Sequence, residues 1–186
     1  MSNATRALVN PPLSAMKKNT PKDGERSLDD ILREIEYTMG DAWLPLIYSQ
    51  RILKLRTRSY EFPSLARNSG PEIQHTLLGI ELKVGRKRML CPDLATARYL
   101  AVFARAGCRA IAIPYDITKI SHLADALESS WYRMLLLADS LTSNRNAAFA
   151  TRVRTSLIGT VRAAIATAGA GTRIPEFRQS TKQGLG

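Results

Sequence analysis

The chain has 186 residues, which is enough for one domain with a sizeable core, and 45% of them are hydrophobic. Its net charge of +11 is larger than solubility requires and favours an anionic partner, such as nucleic acid, an acidic protein or a membrane surface. Two cysteines and two histidines argue against a disulfide framework and a structural zinc site. No apolar run approaches membrane-spanning length, so we expect a cytoplasmic protein.

Both ends of the chain are predicted to lie outside the folded domain. Residues 1–26 are basic, contain three prolines and lack a periodic apolar pattern, which is typical of a flexible arm. Such an arm either adds attraction to a phosphate backbone or only keeps the chain soluble. Residues 169–186 are rich in glycine and polar side chains and are predicted to form a flexible tail. Residues 27–168 remain as a single globular domain.

The domain is predicted to open with a capped helix. Ser27 and Asp30 have the spacing at which a side chain and the backbone N–H groups cap each other at a helix N-terminus. Gly40 is a typical C-terminal stop for this helix. The apolar residues between them follow helical spacing: Leu28, Ile31, Leu32 and Ile35.

A second helix is predicted over residues 42–58. Arg51, Lys54 and Arg58 would then lie on one face at positions i, i+3 and i+7, with no carboxylate one turn away to neutralise them. This basic stripe is either a solvated face or part of a binding surface. Residues 60–71 contain two prolines and a glycine and are predicted to form a connecting loop.

A β-hairpin is predicted near residues 79–91. Apolar and charged side chains alternate from Ile80 to Val84, which is the pattern of a strand with one buried face, and Gly85–Arg86 fits a two-residue turn. In that register Val84 pairs with Lys87, Leu82 with Met89, and Ile80 with Cys91. Lys83 would face Arg88, which is unfavourable unless an anion or Glu81 lies between them. The turn holds the densest cluster of positive charge in the chain: Lys83, Arg86, Lys87 and Arg88.

A helix and a buried strand are predicted after the hairpin. Pro92–Asp93 begins the helix, Gly107 ends it, and the apolar run near 110–114 is typical of a strand covered on both faces. This order of elements indicates a right-handed parallel connection. Asp116 would follow the carboxyl end of the strand, where open α/β sheets bind ligands, and it is otherwise a helix cap.

Two long helices are predicted over residues 117–141 and 147–168. Between Asp139 and Glu176 the sequence contains no carboxylate, so the second of these helices would repel itself unless an anion lay against it. Its arginines form a third basic set: Arg145, Arg152, Arg154 and Arg162. We therefore expect an α/β or α+β fold, with a small mixed sheet of three or four strands packed with four to five helices.

Two acidic residues and a lysine in the hairpin region resemble the core motif of the PD-(D/E)XK nuclease superfamily. Pro71–Glu72 is followed by Glu81-Leu82-Lys83 on a strand, and then by a helix and a buried strand. The resemblance implies that Glu72 and Glu81 hold Mg²⁺ and that Lys83 steadies the attacking water or the phosphate. The chain departs from the family in having glutamate as the first acid and a further strand between the motif and its helix. The alternative is an exposed hairpin on which Glu81 and Lys83 are an ordinary charge pair.

Three functions follow from these patterns. The first is a non-catalytic protein that binds an anionic partner, above all the nucleic acid backbone, through the three basic sets; it needs no cofactor. The second is an Mg²⁺-dependent nuclease using Glu72, Glu81 and Lys83. The third is an adaptor for an acidic protein. Nothing in the sequence marks a major-groove recognition helix or a series of base-stacking aromatic residues.

Overall fold

Residues 26–63 and 70–172 are described by a computed structural model, and the following elements lie within these ranges. They are, in chain order, α1 (Leu28–Met39), a 3₁₀ turn (Gly40–Ala42), α2 (Leu44–Ile47), a π turn (Tyr48–Ile52), β1 (Thr57–Glu61), β2 (Glu72–Thr76), β3 (Gly79–Val84), β4 (Lys87–Cys91), α3 (Leu94–Ala106), β5 (Ala110–Pro114), α4 (Thr118–Thr142) and α5 (Ala147–Ala168). Residues 1–25 of the predicted arm and residues 173–186 of the predicted tail lie outside these ranges.

The predicted mixture of helices and small sheets is confirmed. Strands β2, β3 and β4 form one antiparallel sheet, and β1 pairs with β5 in a second, two-stranded sheet. α3 packs against β3 on one side and against α4 on the other. It is almost entirely buried because it lies between these two neighbours.

The first helix begins and ends where the sequence predicts. The Ser27 hydroxyl accepts a hydrogen bond from the Asp30 N–H, and the Asp30 carboxylate accepts from the Ser27 N–H. This reciprocal arrangement satisfies two N–H groups that the helix itself leaves without partners. Gly40 follows the last helical residue, as predicted.

The predicted helix over residues 42–58 is wrong. The chain forms a 3₁₀ turn, the short α2 and a π turn that is closed by a hydrogen bond from the Leu53 N–H to the Tyr48 carbonyl, and it enters β1 at Thr57. Wider π turns change the angle between successive side chains, so helical spacing no longer places residues on one face. The predicted loop over residues 60–71 is also wrong in part, since Tyr60 and Glu61 belong to β1; residues 64–69 lie outside the described ranges.

The hairpin forms in the predicted register. Val84 pairs with Lys87, Lys83 with Arg88, Leu82 with Met89, and Ile80 with Cys91. Gly85 has a φ of 58°, a left-handed conformation that favours glycine, at the first position of the turn. Leu82 and Val84 are buried in the core, so the other face of β3 carries the charged side chains.

The buried strand is confirmed, but the parallel connection is wrong. β5 pairs antiparallel with β1, and Ile113 lies opposite Arg58. On the other edge of β5, the Ala112 N–H donates to the Tyr48 hydroxyl at 2.9 Å and the Tyr99 hydroxyl donates to the Ala112 carbonyl at 2.6 Å. Since one edge is taken by β1 and the other by tyrosines at Ala112, β5 does not join the sheet of β2, β3 and β4.

The first residues after α5 return to β1. The Gly169 carbonyl accepts a hydrogen bond from the Tyr48 hydroxyl at 2.6 Å, and the Thr172 carbonyl accepts from the Ser59 N–H at 2.9 Å. Thr172 lies parallel to Arg58 as an isolated bridge. The described beginning of the predicted tail is therefore bonded to the domain.

Candidate functional site

The outer face of the three-stranded sheet brings together the residues of the predicted nuclease motif. The register places Glu72 opposite Lys83 and Lys83 opposite Arg88, in one row across three strands. The Lys83 Nζ donates to the Glu72 Oε2 at 3.1 Å, and the Arg88 Nη1 lies 3.7 Å from the Glu81 Oε2. The predicted like-charge neighbours Lys83 and Arg88 are therefore each paired with a carboxylate.

The two carboxylates differ in their surroundings. Glu72 is half exposed and also accepts a hydrogen bond from the Gln74 Nε2 at 3.2 Å. The Glu81 side chain is only 14% exposed, and its buried Oε2 accepts no hydrogen bond in the described residues. Because Glu81 lies opposite Gln74, it is a diagonal neighbour of Glu72 on the same face.

A divalent cation between these carboxylates would have two protein ligands. Mg²⁺ is ordinarily bound by one or two carboxylates, with water completing its coordination. Among the described residues no three His, Cys, Asp or Glu side chains form a group that could hold a metal ion. Both carboxylates are already neutralised by Lys83 and Arg88. An Mg²⁺ ion held by Glu72 and Glu81 would have two protein ligands, and its binding would displace two ion pairs.

Two cations of the hairpin cluster are not neutralised, Arg86 and Lys87. Both are exposed at the β3–β4 turn, and neither pairs with a carboxylate in the described part of the chain. The predicted four-residue cluster thus consists of two neutralised cations, Lys83 and Arg88, and two that remain open to an external anion.

The basic stripe of the predicted second helix does not form one face in the structure; its residues are divided among the π turn, the segment after it and β1. Arg51 lies in the π turn, Lys54 follows it and Arg58 lies in β1. All three side chains are exposed, and none has a carboxylate partner among the described residues. The π turn packs against both β5 and α5, so Arg51 lies on an element that adjoins the helix of the third basic set.

The arginines of α5 and the turn before it are not uniformly free of anions, contrary to what the sequence suggests. Arg154 makes a two-point ion pair with Asp139 of α4, whose Oδ1 accepts from the arginine Nε at 2.6 Å. Arg145 donates to the Arg26 carbonyl at 2.8 Å. Both Arg145 and Arg152 lie over the Phe149 ring, with their guanidinium carbons 4.8 and 5.5 Å from its centroid. Because Arg154 is paired with Asp139, it is not available to bind an external anion.

Arg162 belongs to a pocket of about 400 Å³ that it shares with Arg109. The Cys108 thiol also lines this pocket, but burial raises its pKa to about 12. It is therefore protonated at neutral pH and unsuited to nucleophilic attack.

Several other residues named from the sequence have structural roles. The Asp116 carboxylate accepts hydrogen bonds from the hydroxyl and the N–H of Thr118, and these bonds lower the pKa of Asp116. Asp116 thus satisfies the first N–H group of α4 from one residue before the N-cap position, which is Ile117. Trp131 is buried in the core, and His122 is exposed.

We find no match to any protein-family model, curated protein or solved structure. No helix in the described ranges is both long and apolar enough to cross a membrane.

Among the exposed cations that sequence reasoning missed are Arg109 and Arg133, each of which lines a pocket. Arg109 directly precedes the buried β5, and Arg133 lies in the middle of α4. A signal for Arg133 was present in the sequence, because its neighbours one turn away on α4, Ser129 and Leu137, carry no charge. That arginine lies beside Arg51 in a second pocket, which no helical spacing could have indicated.

Proposed function

We propose that this chain is a basic, non-catalytic binding protein that contacts the backbone of a nucleic acid. The observation that supports the proposal is the set of exposed cations without a carboxylate partner in the described residues. Within the three predicted basic sets they are Arg51, Lys54, Arg58, Arg86, Lys87, Arg152 and Arg162.

Arginine makes up most of this set, and its planar fork matches the oxygens of a phosphate. When such cations neutralise phosphates, they release counterions that are condensed on the nucleic acid, and this release favours binding. Since no aromatic series for stacking bases accompanies these cations, the proposed contacts are to phosphates and carry no sequence preference.

The salt dependence of binding tests this proposal. Fluorescence anisotropy with a labelled 20-nucleotide duplex and the corresponding single strand would be measured over a series of KCl concentrations. We expect the logarithm of the binding constant to fall linearly with the logarithm of the salt concentration. Replacing Arg86 and Lys87 together by glutamine should reduce that slope by about one for each lost phosphate contact.

Arg154→Gln is the matched control, because Arg154 is on the same protein but is paired with Asp139. Its slope should stay close to that of the unchanged protein. A flat salt response, or equal losses in the control and the double variant, would overturn the proposal. Partner capture that survives nuclease treatment would instead assign the basic surfaces to an acidic protein.

A second function, Mg²⁺-dependent cleavage of nucleic acid, is favoured by one observation. Glu81 keeps a buried carboxylate oxygen without a hydrogen bond beside Glu72 and Lys83 on the same face of the sheet. The test is incubation of supercoiled plasmid with the protein and Mg²⁺ or Mn²⁺. Cleavage that is lost in both Glu81→Ala and Lys83→Ala supports this function, and cleavage that persists in Glu81→Ala excludes this site.

A further inference from the structure

A second pocket, of about 320 Å³, lies between the turns that follow α1 and the middle of α4. One wall comes from the 3₁₀ turn, α2 and the π turn, and the other from one face of α4. The lining residues are Asp41, Ala42, Ile47, Arg51, Ala126, Ser129, Ser130 and Arg133.

The charged groups of this pocket are not neutralised by each other or by neighbours. Arg51, Arg133 and Asp41 are all exposed, and none of them takes part in an ion pair within the described ranges. The Ser129 hydroxyl likewise makes no hydrogen bond to the described residues. Arg51, Arg133, Ser129 and Asp41 therefore line one pocket, and their side chains have no ion-pair or hydrogen-bond partner among the described residues.

The walls are held in place without a ligand. The Ser130 hydroxyl donates to the Ala42 carbonyl at 2.7 Å, which fixes the 3₁₀ turn against α4. The π turn that carries Arg51 is closed by the hydrogen bond from Leu53 to Tyr48, and Ile47 is buried beneath it. A site that is formed in advance loses less entropy when it binds.

The chemistry of the lining restricts the ligand. A pair of arginines with a hydroxyl suits a phosphate group, which accepts several charge-assisted hydrogen bonds. Asp41 can accept a hydrogen bond from a donor on the same ligand, and its charge disfavours further negative charge on that ligand. Ala42, Ile47 and Ala126 offer an apolar surface to a planar ring, and the volume lies in the range of small-ligand sites.

We propose that this pocket binds a nucleoside monophosphate. Its phosphate is held by Arg51, Arg133 and Ser129, a hydroxyl or amino group donates to Asp41, and the base lies against the apolar wall. The proposal goes beyond backbone binding. The pocket shares Arg51 with the proposed nucleic-acid interface, whereas Arg133, Ser129 and Asp41 belong to the pocket alone.

Isothermal titration calorimetry with AMP, inorganic phosphate, adenosine and ATP tests this site. AMP should bind about tenfold or more tightly than phosphate or adenosine, because it engages both ends of the pocket, and more tightly than ATP. Arg133→Gln should weaken AMP binding about tenfold or more, whereas Arg133→Lys should retain part of the affinity. Asp41→Ala should weaken AMP binding, because it removes the acceptor for the donor on the nucleoside, and it should not weaken the binding of phosphate.

Arg33→Gln is the control, since Arg33 is an exposed arginine on α1 that does not line the pocket. It should bind AMP as the unchanged protein does. NMR spectra of the unchanged protein provide a readout that needs no variant, and AMP should shift the amide signals of Ser129 and Arg133. AMP binding no tighter than that of phosphate, or unaffected by Arg133→Gln, would overturn the proposal, whatever the outcome of the oligonucleotide titrations.

Discussion

The pKa of the Asp30 carboxyl group reports directly on the cap at the start of α1. Hydrogen bonds from the Ser27 side chain and backbone hold the pKa of Asp30 below its ordinary value. A carboxyl whose pKa is lowered by folding stabilises the protein above its unfolded pKa of about 3.9, and that contribution is lost as the pH falls through the lower, folded value. The cap is therefore weakest in strong acid.

Replacing Ser27 by alanine should raise the pKa of Asp30 toward its ordinary value, because its main hydrogen-bond donor is removed. An NMR titration of the side-chain carboxyl signals would measure the change. The pKa of Asp116 should stay low in the same sample, because its donors belong to Thr118. If the pKa of Asp30 does not move, the Ser27 hydroxyl does not stabilise the ionised form.

Features set by neighbouring residues are the ones that the sequence predicts well. The Ser27 cap and the hairpin register each depend on a few residues whose types dictate the geometry, so the pattern is sufficient. The pairing of Arg154 with Asp139 is different. It joins two helices across 15 residues, and the sequence alone presented Arg154 as unpaired.

At the scale of elements, the hydroxyl of Tyr48 joins three parts of the fold. It accepts from the Ala112 N–H of β5, it donates to the Gly169 carbonyl after α5, and its own backbone begins the π turn. Burial raises the pKa of Tyr48 to about 12, so the group stays protonated and keeps its role as a donor at any ordinary pH.

Tyr48→Phe should lower the free energy of unfolding by about 1–3 kcal/mol, because it leaves the buried Ala112 N–H without an acceptor. Urea denaturation followed by circular dichroism measures this change. Tyr115→Phe is the matched control. Tyr115 is exposed and its hydroxyl makes no hydrogen bond in the described residues, so the expected change is within about 0.5 kcal/mol. Equal effects of the two substitutions would contradict the bridging role of Tyr48.

The error in strand pairing has the same origin as the error in the second helix. Continuing helical spacing through Ile52 hid β1, and without β1 the obvious neighbour for β5 was the hairpin. On the other edge of β5, the Tyr48 and Tyr99 hydroxyls bond to the backbone of Ala112. Such side-chain bonds produce no periodic pattern in a sequence, so they could not be predicted. The buried strand itself was predictable because its apolar run is local.

At the scale of the whole molecule, residues 169–172 add the last hydrogen bonds of the described fold. A chain that ends at Ala168 loses the bonds from Tyr48 to Gly169 and from Ser59 to Thr172, whereas a chain that ends at Thr172 retains them. We expect the shorter chain to be less stable by about 1 kcal/mol for each lost bond. Thermal unfolding of both truncated proteins measures this difference, and identical midpoints would show that these four residues contribute nothing.

The sequence predicts the positive charge of the protein, but it does not predict how many of the cations are free to bind an anion. Net charge is fixed by composition, yet the number of cations open to a partner depends on which carboxylates fold next to them. Lys83, Arg88 and Arg154 are neutralised by Glu72, Glu81 and Asp139, while Arg86 and Arg152 are not. The AMP pocket proposed above depends on the same kind of information, because Arg51 and Arg133 are 82 positions apart in the sequence.

The hydrogen bond between Tyr48 and Gly169 also has a consequence for how the chain folds, because it closes a loop of 121 residues. Contacts between residues so far apart in the sequence form late, because ordering the intervening chain costs conformational entropy. During synthesis the π turn leaves the ribosome long before its acceptor does. The Tyr48 hydroxyl and the outer edge of β1 therefore complete their hydrogen bonding only once residues 169–172 have emerged, whereas the bonds of Ala112 in β5 to Tyr48 and Tyr99 need no later part of the chain.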